Sequence, residues 1–168
     1  MQNIPSLIRK LAKELPKFPD GRINYTNAAK AAVLTSFIEY QGKILLLKRS
    51  NKTGTYQGLW STVTGYLDEL KPLRNKVEEE LEEELGLNLE NINSFKTGEV
   101  YEFLDKDINR TWIVYPVLVT LKNKPEIRLD EEHTEFKWIR PEDITKFETP
   151  PKLDESLMRV VNNRIEGF

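Results

Sequence analysis

Apolar residues recur along this chain with two periods, about 3.6 residues and two, and the switches between them mark its elements. The opening, MQNIPSLIRKLAKELPKF, sets Ile4, Leu7, Ile8, Leu11 and Leu15 on one side of a helix. The turn PDGR, Pro19 to Arg22, closes this N-terminal helical extension over residues 1–22. AAVLTSFIEY and KILLLKRS then read as strands hinged at Gln41-Gly42. A loop, NKTGTYQG, leads to a short strand, LWSTVTG, before a helical period returns between Leu73 and Leu85. Beyond it the pattern predicts a strand near Ser94–Asp105, a turn at Lys106–Asn109 and the strongly apolar strand TWIVYPVLVTL. The charged connection KNKPEIRLDEEH precedes the strand EFKWI, and Pro141 of PEDI suits the first position of a short helix. Pro150-Pro151 breaks the chain, and LDESLMRVVNNRI closes it as a helix. Hairpins without regular βαβ alternation predict an α+β domain, a mixed sheet between helices, spanning residues 1–168.

The helix between Leu73 and Leu85 carries more than packing information. With Val77 at zero and about 100° per residue, Leu73, Val77, Leu81 and Leu85 form an apolar stripe. Glu84 falls inside that arc, Glu80 on its flank and Glu83 further round, whereas Glu78, Glu79 and Glu82 point to solvent. A carboxylate on the core side of a helix is costly unless something pairs with it. Glu80, Glu83 and Glu84 stand at i, i+3 and i+4, with no basic residue among them. Such a set asks for a hard divalent cation, whose natural ligand is carboxylate oxygen. The plain alternative is a solvated Glu-rich helix. The angular place of Glu84 and the glycines at both ends, Gly65 and Gly86, argue against it.

The stretch Gly65–Leu87, GYLDELKPLRNKVEEELEEELGL, resembles the Nudix box, the loop-helix-loop signature of hydrolases acting on nucleoside diphosphates linked to another moiety. Gly65, Glu80, Leu81, Glu83, Glu84, Gly86 and Leu87 fall in the family's register. Two positions depart from it: Lys71 stands where the family has Glu, and Glu79 where it has Arg. In the family those two residues pair and brace the loop against the helix. Here Lys71 and Glu79 can make the same ion pair with charges exchanged, although Lys offers a point charge instead of a bidentate fork. Arg74 is a rival cation. The resemblance runs roughly from Thr26 to the C-terminus and implies an α/β/α sandwich with Mg²⁺ or Mn²⁺ as cofactor. It makes Glu80 and Glu84 the principal metal ligands, with the Gly65 carbonyl completing the shell, and Glu83 a further ligand or water-orienting group.

Outside the box, Lys48 and Arg49 end a strand, and neighbours on a strand face opposite ways, so only one of them is placed to reach the site; a phosphate contact and a pair of surface charges capping the edge are equally open readings. The segment Asp130–Glu135 is similar to the post-box loop of many Nudix enzymes, which supplies one more acid. Glu132 is the candidate general base or extra ligand, with Glu131 and Glu135 as rivals. His133, the single histidine, reads first as a structural hydrogen-bonder. Tyr56, Trp60 and Tyr66 flank the box entrance; Tyr66 is a candidate for stacking on substrate, while Trp60 reads first as core.

Composition narrows the class. Lys and Arg number 25 against 27 Asp and Glu, a net charge of −2, which leaves no electrostatic footprint for general nucleic-acid binding. The chain has no Cys, which excludes disulfides, thiolate metal sites and cysteine nucleophiles and fits a cytoplasmic setting. No apolar run approaches ~18 residues, and the first helix is mixed in charge. It therefore suits packing on the body of the protein, or on a second copy in a homodimer, rather than on a membrane. The expected activity is metal-dependent hydrolysis of a phosphoanhydride in a small nucleotide-type substrate. A non-catalytic Nudix-like binding module is the alternative that the altered Lys71 and Glu79 favour. Isopentenyl-diphosphate isomerase, a Nudix relative with a phrase similar to LWSTVTG, uses a cysteine that this chain lacks.

Overall fold

The computed structural model describes residues 3–165, with side chains as far as Val161. Met1, Gln2 and the last three residues of the expected domain span lie outside the described residues. An eight-stranded mixed sheet forms the centre. Its axis is the parallel pair β1 (Lys30–Tyr40) and β7 (Arg110–Leu121). These strands are apolar at nearly every position because both faces of the sheet are covered. β2 (Lys43–Arg49) returns antiparallel beside β1 through a two-residue turn. Gln41 and Gly42 both hold positive φ, 49° and 81°, the geometry that matches strand twist.

The alternation within β2 assigns the two faces. Leu45 and Leu47 join the cluster under α2 (Leu73–Leu85), together with Val77, Leu81 and Leu85. Ile44 and Leu46 join the opposite cluster under α3 (Leu153–Ile165), with Leu153, Leu157 and Val160. The result is an α/β/α sandwich. Each fully buried leucine contributes ~1.5–3 kcal/mol, so both layers are fixed by many small gains.

Two expected strands are each divided. LWSTVTG splits into β3 (Trp60–Ser61), which pairs with β2, and β4 (Val63–Tyr66), which pairs with β1. Thr62 stands at the crossing and donates its hydroxyl to the Ser36 carbonyl at 2.8 Å. The segment near Ser94–Asp105 becomes β5 (Ile92–Thr97) and β6 (Tyr101–Asp105), both on β7. The break falls at Gly98, where a Cβ would stand 2.9 Å from the Arg159 carbonyl oxygen. β8 (His133–Ile139) completes the sheet on the outer side of β2. PEDITK forms a 3₁₀ turn rather than an α-helix.

Among the described residues of the N-terminal extension, only Ser6–Glu14 is helical (α1). Ile8, Leu11 and Ala12 are buried in the cluster shared with α2, so the helix packs on its own chain. The strap between α1 and β1 docks on the loop before α2. Ile23 donates its N–H to the Asp68 carbonyl at 2.8 Å, and Tyr25 donates its hydroxyl to the Leu67 carbonyl at 2.8 Å. No helix among the described residues is long and apolar enough to cross a membrane.

Candidate active site

The site grows from the placement of α2. Leu81 and Leu85 anchor the helix on the sheet, and Glu84, between them on the stripe, is carried inward to 2% exposure. Burial, with the Glu80 carboxyl beside it, pushes Glu84 well above the ordinary carboxylate range. Its Oε2 is buried without a hydrogen-bond partner. Burial also raises Glu80, and hydrogen bonding from Glu84 and the charge of Lys76 partly offset this. Both carboxyls are thus harder to ionise than a free one, chiefly because they are buried. Glu83 stays exposed at the rim.

Gly65, in β4 opposite Leu34, is the residue against which Glu80 folds. A Cβ there would meet Glu80 Oε1 at 2.8 Å. The glycine is therefore required by the approach of a carboxylate and not by a positive φ.

The C-terminal end of α2 positions the second acidic segment. Gly86 caps the helix in the left-handed conformation at φ 63°. Carbonyls left open in the last turn accept from the incoming loop: Leu85 from the Arg128 N–H at 2.9 Å and Glu84 from the Asp130 N–H at 3.3 Å. Asp130 then organises the entry to β8, its Oδ1 accepting from the Glu132 N–H at 3.1 Å and lying 3.1 Å from His133 Nδ1. The Glu132 carbonyl also accepts from the Ser50 N–H at 2.8 Å, tying this loop to the end of β2. Glu132 thereby faces the fields of Arg49 and Glu80, and burial, with Asp130 as the next cause, raises its carboxyl above the usual range. Glu131 turns to Lys52 and Glu135 to Lys48, each at 3.4 Å.

His133 is buried, with Nε2 3.5 Å from Glu84 Oε1. Burial lowers its basicity, and Asp130 opposes that effect. Nδ1 lies at hydrogen-bond distance from Asp130, and Nε2 faces Glu84 with no hydrogen-bond partner. The histidine is therefore a neighbour of the acid pair as well as a structural hydrogen-bonder, which chain position alone did not reveal.

Of the two strand-end cations, Arg49 enters the site. Its Nε donates to the Thr55 carbonyl at 2.9 Å, and Nη1 reaches Thr64 Oγ1 at 3.4 Å. Lys48 turns elsewhere: its ammonium lies 3.4 Å from Glu135 and over the Trp60 ring. Trp60 itself packs edge-on against Phe147 in the cluster under α3, away from the box.

A cavity of about 140 Å³ opens beside Gly65 and Thr64, lined by Arg49, Tyr56, Tyr66, Phe103 and Trp112 among others. Tyr66 is 40% exposed and stacks on Tyr25 at 5.5 Å. Tyr56 donates its hydroxyl to Asp105 at 2.5 Å and accepts from Trp112 Nε1 at 2.9 Å. Trp112 and Asp105 escaped sequence reasoning because both lie in strands that read as ordinary core and turn. Only the pairing of β6 with β7 brings them to Tyr56.

Around the box helix, Lys71 Nζ stands 2.6 Å from Glu79 Oε1 and 3.2 Å from Glu69 Oε2. Arg74 is engaged elsewhere, with Glu78 at 3.1 Å and over the Phe95 ring. The expectation that no basic residue lies among the converging acids needs correction. Lys76, one helical turn before Glu80, places its ammonium 3.3 Å from Glu80 Oε1. The i, i+4 spacing carried that signal.

The donors fit a hard cation in kind: a buried carboxylate with an orphaned oxygen, a second carboxylate facing it, and a glycine cradle beside them. Among the described residues, however, no three acids or histidines stand grouped around one ion position. Two protein carboxylates, with waters and substrate phosphates completing the shell, are the pattern that Mg²⁺ accepts.

With fold and geometry in place, comparison with known proteins assigns the class. The NUDIX domain matches residues 28–160, and the chain belongs to that family. It is a Nudix hydrolase, of the group that hydrolyses nucleoside diphosphate derivatives and generally uses divalent metal ions. The nucleoside triphosphatase NudI of Escherichia fergusonii is 22% identical over 121 residues, covering 69% of this chain and 86% of NudI. The MutT NUDIX hydrolase of Burkholderia pseudomallei superposes with a TM-score of 0.62 at 22% identity, over 78% of this chain and 98% of that one. The NUDIX domain of Shewanella oneidensis NrtR, solved with ADP ribose, gives 0.65 at 16% identity, over 82% and 89%.

Proposed function

We propose that this protein hydrolyses a phosphoanhydride bond in a nucleoside diphosphate linked to a second moiety, with Mg²⁺ or Mn²⁺ held by Glu80 and Glu84. The observation that carries the reading is Glu84: a carboxylate 2% exposed, with an unpartnered oxygen, facing a second acid beside a glycine cradle. A structural role alone gives no reason to bury that charge at such cost.

When bound, the cation supplies charge neutralisation for the diphosphate and a water of lowered pKa. The remaining work falls to the chain. Arg49, at the cavity mouth beside Thr64, anchors a phosphate oxygen. Tyr66 offers an exposed ring face to a planar group such as a nucleobase. Glu132, with its raised affinity for a proton, takes the proton from the attacking water as general base or serves as a further ligand. Glu83 orients water from the rim. The Gly65 carbonyl, unobstructed by a Cβ, is a further oxygen donor. The Lys71–Glu79 pair fixes the loop that presents Gly65 to Glu80.

The test is turnover of nucleoside triphosphates, ADP-ribose, nucleoside diphosphate sugars and dinucleoside polyphosphates with Mg²⁺, with Mn²⁺ and with chelator. Metal-dependent release of a nucleotide, lost in Glu84→Gln, supports the proposal. ADP-ribose binding without turnover of any substrate would instead support the binding-module reading.

A further inference from the structure

The cavity beside Gly65 has a wall whose polar groups are largely spent on one another. Tyr56 donates its hydroxyl to Asp105 at 2.5 Å and accepts from Trp112 Nε1 at 2.9 Å, so a single oxygen occupies both the indole donor and a carboxylate. Asp105 accepts a further bond from the Asp107 N–H at 3.0 Å and is not part of the lining. No acid lines the cavity among the described residues. The hydroxyls of Tyr101 and Ser156 bond each other, that of Thr64 accepts from Arg49, and that of Tyr66 accepts from Arg110. Thr35, Thr55 and Ser61 add hydroxyls that donate or accept as a ligand requires, and so favour no one pattern. Flat surface from Tyr56, Phe103 and Trp112 remains, with Arg49 as the one cation. Tyr56 reaches its place at a cost. It holds φ 55°, in the left-handed region that bulky side chains avoid. The two hydroxyl bonds keep it there, as does the Thr55 carbonyl, held by Arg49 Nε at 2.9 Å. Strain retained in this way at a cavity points to a role in what the cavity accepts.

We infer that Tyr56 sets the specificity of this cavity: by taking Trp112 Nε1 and Asp105 for its own hydroxyl, it leaves a wall that holds a nucleobase by its flat face, so that adenine, guanine, cytosine and uracil are accepted alike. This rests on the nucleotide reading of the site. The alternation of β4 joins the two parts, since Thr64 and Tyr66 line the cavity while Gly65 between them meets Glu80. Arg49 lines the cavity and also lies in the field of Glu132 and Glu84, so a base seated there sets its phosphates towards the acids. Every base has a π-face, and stacking on aromatic side chains tolerates any of them. A wall that hydrogen-bonds the edge of its ligand behaves differently, rejecting an analogue without the matching group by ~10⁴–10⁵-fold.

The experiment measures dissociation constants of AMP, GMP, CMP and UMP by calorimetry on the full chain in chelator, with ribose 5-phosphate as the base-free control. Wild type, Tyr56→Phe and Trp112→Phe are compared. In wild type the four constants are expected to lie within about tenfold of one another, each at least about fivefold tighter than ribose 5-phosphate, the lower end of what stacking supplies. Trp112→Phe deletes the indole N–H but keeps a ring, so the four should remain within that range of one another. Tyr56→Phe keeps its ring and releases Trp112 Nε1 and Asp105 from the hydroxyl, so the spread should widen beyond it. A wider spread in wild type overturns the inference, as does selective loss of one base in Trp112→Phe or an unchanged spread in Tyr56→Phe. If Tyr56→Phe does not fold, Tyr56→Gly, which deletes the hydroxyl and relieves the left-handed strain, carries the same expectation. If neither folds, the spreads of wild type and Trp112→Phe decide. Equal binding of the four nucleotides, with no turnover in Mg²⁺ or Mn²⁺, supports the inference while refuting the hydrolytic proposal. Metal-dependent hydrolysis by a protein that binds them no better than ribose 5-phosphate, or not at all, refutes the inference and leaves that proposal standing.

Discussion

Gly65→Ala tests the link between backbone and the proposed metal site most directly. The new Cβ would stand 2.8 Å from Glu80 Oε1 and 2.9 Å from Glu80 Cδ, where ordinary contact begins near 3.4 Å. The carboxylate must therefore retreat by about 0.6 Å or more. It has little room to do so freely, because Lys76 holds the same oxygen from 3.3 Å away. A misplacement of ~1 Å at a reacting centre can cost ~10²-fold, so kcat is expected to fall roughly 10- to 100-fold. Stability should change less. Gly65 does not hold a positive φ. Alanine therefore gains ~0.4–1 kcal/mol through the unfolded chain, set against a crowding cost of ~1–3 kcal/mol. Metal-dependent nucleotide release, Mn²⁺ calorimetry and a thermal melt together read the outcome. A folded Gly65→Ala protein with kcat and Mn²⁺ affinity both within about twofold of wild type would show that Glu80 need not sit where the structure puts it, and the assignment of Glu80 as a ligand would fail.

The same geometry fixes three further outcomes. Glu84→Gln should abolish metal-dependent turnover and stabilise the metal-free protein. Burial raises the folded-state pKa of Glu84, so its stability contribution is full below its unfolded value near 4.3 and is lost as pH rises through the higher folded value. The melting-temperature advantage of Glu84→Gln over wild type should therefore be largest at alkaline pH and shrink on acidification; an advantage that grows on acidification would contradict it. Glu132→Gln should lower kcat with a modest change in KM, the pattern of an interaction made mainly in the transition state, whereas equal or larger losses in Glu131→Gln or Glu135→Gln would move the role to another acid. Lys71→Glu sets a new acid against Glu69 and Glu79 and should impair activity. Adding Glu79→Arg should recover much of the loss, although the half-exposed pair itself is worth only ~0–1 kcal/mol to stability. A double variant no better than the single would remove any positioning role for the pair.

The sequence by itself determined what depends on local periodicity and short-range chemistry. The Leu73, Val77, Leu81 and Leu85 stripe, the inward place of Glu84, the Gly86 cap and the Gln41-Gly42 hairpin all arise from angles and dihedrals that a few neighbouring residues impose. The spacing of the box likewise carried the family. Tertiary structure decided the contacts between segments distant in the chain. The splits of LWSTVTG and of the segment near Ser94–Asp105 depend on which strand each half pairs with, which no window of sequence records. That Arg49 rather than Lys48 meets the Thr55 carbonyl and Thr64 depends on which side of β2 the later loop and strand cover. Asp105 joins Trp112 at the Tyr56 hydroxyl only because β6 pairs with β7, and His133 reaches Glu84 only because the loop before β8 satisfies the open carbonyls of α2. Lys76 lay between these limits: its i, i+4 relation to Glu80 was local, but Asp68 and Glu69 enclose its ammonium only once the loop folds back on the helix. Helical spacing fixes which side chains can meet, and the enclosure formed by the rest of the chain fixes how much charge that meeting must balance.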